Sequence, residues 1–361
     1  MAGFVSALAF GLSIWGLAWL ESQGMTRGSS RQKSFDEAGA SKPKCVVALS
    51  PGIAEIVLTL GGGRQLVGIT DHTKHPPGVG DGRTRVGGFL SPSLEGIVSL
   101  KPDLVIMREA QKELARRLRE VGIRVVTVGD ASVDDVLESV EKVGAAMGLK
   151  RRAVAWTKNA RERLEKVREA VRLNRRRDAR PPSRRAPLAA GVGEARPQSG
   201  ATIQTKEPKV LFVVGRSDSS LRSLYGAASR TLPHSLIRHA RGINILSSAR
   251  ARYPVVSKES ILSLQPDVIL EVVVSPSTFS PDEVRRSWAE LGAVAAVEKS
   301  RVHILTSDRW LIPGPRVLDA VEKLAKLLHP GLHLPQRQRK TSTPSPNPPT
   351  DVSRANPASP P

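Results

Sequence analysis

Ser93-Leu-Glu-Gly-Ile-Val-Ser-Leu-Lys-Pro-Asp-Leu-Val-Ile106 is written a second time, in the other half of the chain, as Ser257-Lys-Glu-Ser-Ile-Leu-Ser-Leu-Gln-Pro-Asp-Val-Ile-Leu270. In each copy a Ser suits a helix N-cap, a Glu falls in the first turn, and apolar residues follow at helical spacing. A Pro-Asp break and a branched apolar run then read as a buried strand. One helix-to-strand step repeated this far apart predicts two similar α/β lobes.

Outward from the first copy, residues 45–50 read as a strand and 52–60 as a helix stopped by Gly61-Gly-Gly63. Further strands are expected at 65–69, 104–107 and 124–128, with helices at 109–121 and 133–147. Strands alternating with helices imply a mainly parallel sheet flanked by helices in each lobe. From Lys150 to Arg172 the spacing predicts one long helix joining the lobes, with Ala153, Trp156, Ala160, Leu164, Val167 and Val171 on one stripe. The second lobe restarts at Val210 and ends in a helix from Pro315, in the favoured first position, to Leu328. The domain plan is therefore an export or anchor segment at 1–24, a tether at 25–44, a first lobe at 45–149, a connecting helix at 150–172, a basic insertion at 173–207, a second lobe at 208–330 and a disordered tail at 331–361.

A length of 361 residues and an apolar fraction of 40% suffice for two real cores. The net charge of +21 raises nucleic acid as a partner, but almost half the excess sits between Arg172 and Lys206 and after His329. These stretches are rich in Pro, lack interleaved aromatics and contain no nucleic-acid-binding signature, so they read as solvated linkers. The uncharged run Ala2 to Leu20 predicts export or membrane anchoring. A single cysteine, Cys45, excludes an intrachain disulfide and a cysteine-rich metal site.

No Walker A loop, dinucleotide fingerprint, zincin motif or nucleophile elbow is present, which leaves a hydrolase or transferase without a visible nucleophile and base. The richest polar cluster, Asp71-His72-Thr-Lys-His75-Pro-Pro77, follows a strand, where open α/β sheets place their ligands. His72 and His75 are candidates for lining a cleft, or for holding a metal or haem in a sensor or chaperone. Arg309 and Trp310 occupy the matching place in the second lobe, Trp310 either as an aromatic platform or packed beneath its loop. Glu95 and Glu259 have a simpler explanation too, since a carboxylate in the first helical turn is favoured by the helix dipole.

Taken together, Leu49-Ser-Pro51 with Glu55-Ile56, Val67 to Asp71 with Pro76-Pro77, Val86-Gly-Gly-Phe89, the repeated phrase, Gly242 to Ile245, Tyr253 to Ser257 and Pro313-Gly-Pro-Arg316 resemble the substrate-binding proteins of ABC importers for cobalamin and ferric siderophores. The resemblance covers about residues 45–330. It implies a monomeric, extracytoplasmic binding protein without catalytic residues or resident cofactor, serving a permease and its ATPase. It further implies that Glu95 and Glu259 dock on the permease, one per lobe. The ligand cleft would be lined by His72, His75, Phe89, Tyr225, Tyr253, Arg309 and Trp310. A cobalamin-type corrinoid is the leading ligand, with haem or a ferric siderophore behind it.

Overall fold

A computed structural model describes residues 42–178, 207–218, 220–274 and 279–334. The apolar run Ala2 to Leu20, nearly all of the tether, most of the basic insertion and most of the tail lie outside the described residues. The first lobe contains β1 (Val46–Ala48), α1 (Pro51–Thr59), β2 (Leu66–Ile69), β3 (Thr84–Arg85), α2 (Leu94–Ser99), β4 (Leu104–Arg108), α3 (Lys112–Glu120), β5 (Val125–Val128) and α4 (Val133–Ala146). Its sheet runs β3-β2-β1-β4-β5, parallel throughout. Period-2 alternation with a core on each face explains why β1 and β4 as far as Met107 are apolar at successive positions. Val46, Ala48, Leu104 and Ile106 face one core, while Val47, Leu49, Val105 and Met107 face the other.

The second lobe contains β6 (Lys209–Arg216), β7 (Leu224–Gly226), α6 (Leu232–His239), β8 (Ile243–Asn244), β9 (Val255–Val256), α7 (Lys258–Leu264), β10 (Val268–Val272), α8 (Pro281–Ala289), α9 (Ala295–Glu298), β11 (Val302–Leu305), a 3-10 turn (Asp308–Trp310) and α10 (Val317–Leu328). Its sheet follows β11-β10-β6-β7-β9, with β8 beside β6. The sheet is mixed, because β7 pairs antiparallel with both β6 and β9. Both copies of the phrase form as expected: Ser93 and Ser257 cap α2 and α7 by accepting from the backbone N–H three residues on.

The connecting helix, α5, spans Lys150–Asp178, six residues beyond its expected end. The Arg-rich stretch after Arg172 continues it because Arg is a good helix former and Arg175, Arg176 and Arg177 meet the negative end of the dipole. The final helix starts later than expected. Its N-cap is Arg316, which leaves Pro315 before the helix. The two lobes share their base. Val133, Val136 and Leu137 of α4 belong to the second-lobe core and Val140 and Val143 to the first. Along α5, Ala153 packs in the first core and Ala160, Leu164, Val167 and Val171 in the second, while Trp156 touches both.

Candidate functional site

Loops at the C-terminal ends of β1, β4, β5 and β11 bring residues of the two lobes together. After β2, Arg83 and Arg85 hold the loop from behind. Arg83 donates to the carbonyls of Leu66, Val79 and Gly63, and Arg85 donates to that of Asp71 at 2.6 Å. Thr70 and Thr73 are fully buried and share a hydroxyl contact of 3.0 Å. The backbone of the loop is thus tied down while His72 and His75 stay exposed. Phe89 is half-buried; its carbonyl accepts from Gln111 Nε2 at 2.8 Å, and the Arg108 guanidinium stands 5.4 Å from its ring centroid. Arg108, at the end of β4, is ion-paired with Asp130, just beyond β5.

Tyr253, from the second lobe, is half-buried, and burial pushes its phenol pKa up. Arg108 and Asp130 both lie within electrostatic reach of that phenol, so one inter-lobe junction joins Phe89, Arg108 and Asp130 of the first lobe to Tyr253 of the second. Tyr225, on β7, is also half-buried and shares a 3.2 Å hydroxyl contact with Ser217 of its own lobe.

A second junction lies between α1 and the segment after β11. Arg316 Nη2 donates to Glu55 Oε1 at 2.6 Å, its Nε lies 3.0 Å from Oε2, and its Nη1 donates to Asp308 at 2.9 Å. Glu55 is 4% exposed. Burial pushes its carboxyl pKa up, while Arg316 and, more weakly, His75 pull it down. His75 is therefore a neighbour of this junction. The backbones touch here: a Cβ on Gly52 would fall 2.1 Å from the Pro313 carbonyl oxygen, and one on Gly314 would fall 3.1 Å from Gly52 Cα. Only glycine permits that approach.

Arg309 is half-buried, with its Nε 3.1 Å from Ser307 Oγ. Trp310 is the correction among the expected lining residues. It is 1% exposed and packs in the second-lobe core, with Lys323 above its ring, so it has no face to offer a ligand. The 3-10 turn capped by Ser307 directs the indole beneath the loop toward α10. Glu95 and Glu259 are exposed in the first turns of α2 and α7, one per lobe and outside the junctions just described. Among the described residues no group of three or more His, Cys, Asp or Glu is arranged to hold a metal, so the sensor reading of His72 and His75 has no third side chain from that set.

Arg108, Asp130 and the Glu55–Arg316 pairing were not expected from the sequence. Glu55 did carry a signal, being the one charge in the apolar run Ile53 to Leu60. A carboxylate on a buried helical stripe needs a cationic partner. Nothing local pointed to Arg316, which lies 261 positions away.

The periplasmic binding protein family matches residues 46–179. An uncharacterized ABC transporter substrate-binding lipoprotein of Bacillus subtilis is 26% identical over 294 residues, covering 80% of this chain and 81% of its own. A vitamin B12-binding protein of Vibrio cholerae is 26% identical over 287 residues, covering 78% and 88%. Among solved structures, a periplasmic heme binding protein from Pseudomonas aeruginosa superposes with a TM-score of 0.62 at 21% identity, over 81% of this chain and 94% of that one. The architecture is that of the two-lobed periplasmic binding proteins.

Proposed function

We infer that this chain, whose residues 46–179 match the periplasmic binding protein family, is an extracytoplasmic substrate-binding protein that holds a cobalamin-type corrinoid between its lobes and delivers it to the permease and ATPase of an ABC importer. The observation that carries this reading is the pairing of charges along the cleft floor. Arg108 is matched by Asp130, and Arg316 by Glu55 and Asp308, so the floor that this reading assigns to the cleft is close to neutral, with Phe89 and Tyr253 beside Arg108. Such a floor suits a large ligand recognised by contact area and neutral hydrogen bonds. The similarity to a vitamin B12-binding protein supports the same ligand class.

Haem or a ferric siderophore is the second reading, favoured by the exposed imidazoles of His72 and His75 and by the Arg309 guanidinium, which could meet a carboxylate. Calorimetric titration of the full chain with cyanocobalamin, haemin and a ferric siderophore separates them. One-to-one saturation by cyanocobalamin at or below about micromolar Kd, unaffected by His72→Ala/His75→Ala, is expected. Saturation by haemin alone, lost in that double variant, would replace the corrinoid with haem.

A further inference from the structure

The outer face of α5 has no part in the cleft. Of the 29 residues of this helix, twelve are Lys or Arg and four are Asp or Glu, an excess of eight positive charges on one element. Helix stability calls only for those in the last turn, Arg175, Arg176 and Arg177. Arg168, Arg172 and Arg176 follow one another four apart, a spacing at which like charges repel. Lys150, Arg151 and Arg152 stand in the first turn, where the dipole disfavours cations. Toward the other end, Arg168, Arg172, Arg175, Arg176 and Arg241 line an open groove of about 360 Å³ with Val171. Glu165 and Glu169 pair with Arg168 and Arg172, and Glu207 serves both Arg175 and Arg241, so three carboxylates face five guanidiniums. Val154 and Leu173 of the same helix are each 52% exposed.

The chain that precedes the described residues indicates what this face meets. The Lys42 side chain packs against Gly148, where an added Cβ would lie 3.3 Å from Lys42 Cγ, and α5 begins two residues later. Between the apolar run that ends at Leu20 and Lys42 lie 21 residues. Even fully extended they span no more than about 76 Å. Anchoring through the apolar run would therefore hold the start of α5 near a bilayer.

We propose that the outer face of α5 docks on a membrane surface through its anionic phospholipid headgroups, with Lys158, Arg168, Arg172 and Arg176 toward the phosphates and Val154 and Leu173 at the headgroup boundary. The idea rests on the extracytoplasmic, membrane-associated reading above. Anionic lipid attracts basic segments within about a Debye length, and exposed apolar side chains on the same face add insertion energy.

The test uses the full chain with Cys45→Ser and a fluorophore on Leu173→Cys, mixed with phosphatidylcholine vesicles that contain a doxyl-lipid quencher, with or without phosphatidylglycerol. Phosphatidylglycerol at about 30 mol% should raise quenching about threefold or more, and salt of about 0.5 M should abolish the increase. Arg172→Glu/Arg176→Glu should lose it, and Arg172→Lys/Arg176→Lys should keep it. If the reversal variant fails to fold, Lys158→Glu/Arg161→Glu takes its place. Equal quenching in both vesicle types, or full quenching after charge reversal, overturns docking. Displacement by a few millimolar inorganic phosphate at constant ionic strength does so too, and would make the groove a free-anion site. Cyanocobalamin titration of the same samples reports on the transport reading separately, so failure of either is recognised without the other.

Discussion

At the residue scale, Phe89 and Trp310 divide the roles that sequence reading had merged. Trp310→Ala should destabilise the protein by about 3–5 kcal/mol in urea unfolding, because it removes a fully packed indole from the second-lobe core. Phe89→Ala should weaken ligand binding with little change in the unfolding midpoint, its ring being half-buried beside Arg108. Equal stability loss in the two variants would contradict this division. Arg316→Ala leaves Glu55 buried without its partner and should cost about 3–5 kcal/mol. Replacing both by apolar residues should recover much of that loss, which a double-mutant cycle would read directly.

At the element scale, α2 and α7 are two short helices with one design. Their Ser caps make each helix start firm, and their Glu residues are exposed in the first turn. The hydrogen bond from Ser257 holds the Glu259 carboxyl below its usual pKa, so it is ionised and ready for a cationic partner. Glu95→Ala and Glu259→Ala are expected to leave ligand affinity unchanged while reducing uptake in a reconstituted importer, more in combination than singly. Loss of ligand binding in either variant would remove the docking role. The helices α4 and α5 act differently, since each contributes side chains to both lobe cores.

At the scale of the whole molecule, the shared base and the Gly52–Gly314 contact fix the lobes at two places, so ligand binding should change the lobe angle by only a few degrees. Scattering profiles with and without saturating ligand should nearly superpose. Stability should also depend on pH through the second lobe, where burial lowers the pKa of His234, His239, His303 and His329. The unfolded imidazole takes up a proton near pH 6.5, whereas the folded one resists until lower pH. Their stabilisation is therefore complete above about pH 6.5 and is lost as pH falls through the depressed folded values. His329, which is 6% exposed with Nε2 2.9 Å from the Ala240 carbonyl oxygen, should contribute visibly. Melting temperatures between pH 8 and 5 should fall less steeply for His329→Gln than for the wild type.

The two-lobed α/β plan was legible in the sequence, because it rests on local signals repeated along the chain. Ser caps, 3.6-residue stripes, Pro-Asp breaks and branched apolar runs act over a few residues and need no distant partner. The burial of the α5 stripe followed from the same periodicity. Pairings across long separations were not legible. Glu55 with Arg316, Arg108 with the surroundings of Tyr253, and Glu271, held by Arg216 at 2.6 Å inside an apolar strand, are determined by which loops the folded lobes bring together. Trp310 shows the same limit, since whether an indole in a post-strand loop turns to the cleft or to the core depends on the space under α10. Periodicity and capping are short-range properties of the chain, whereas burial of a charge or a ring is settled by neighbours that only tertiary packing supplies.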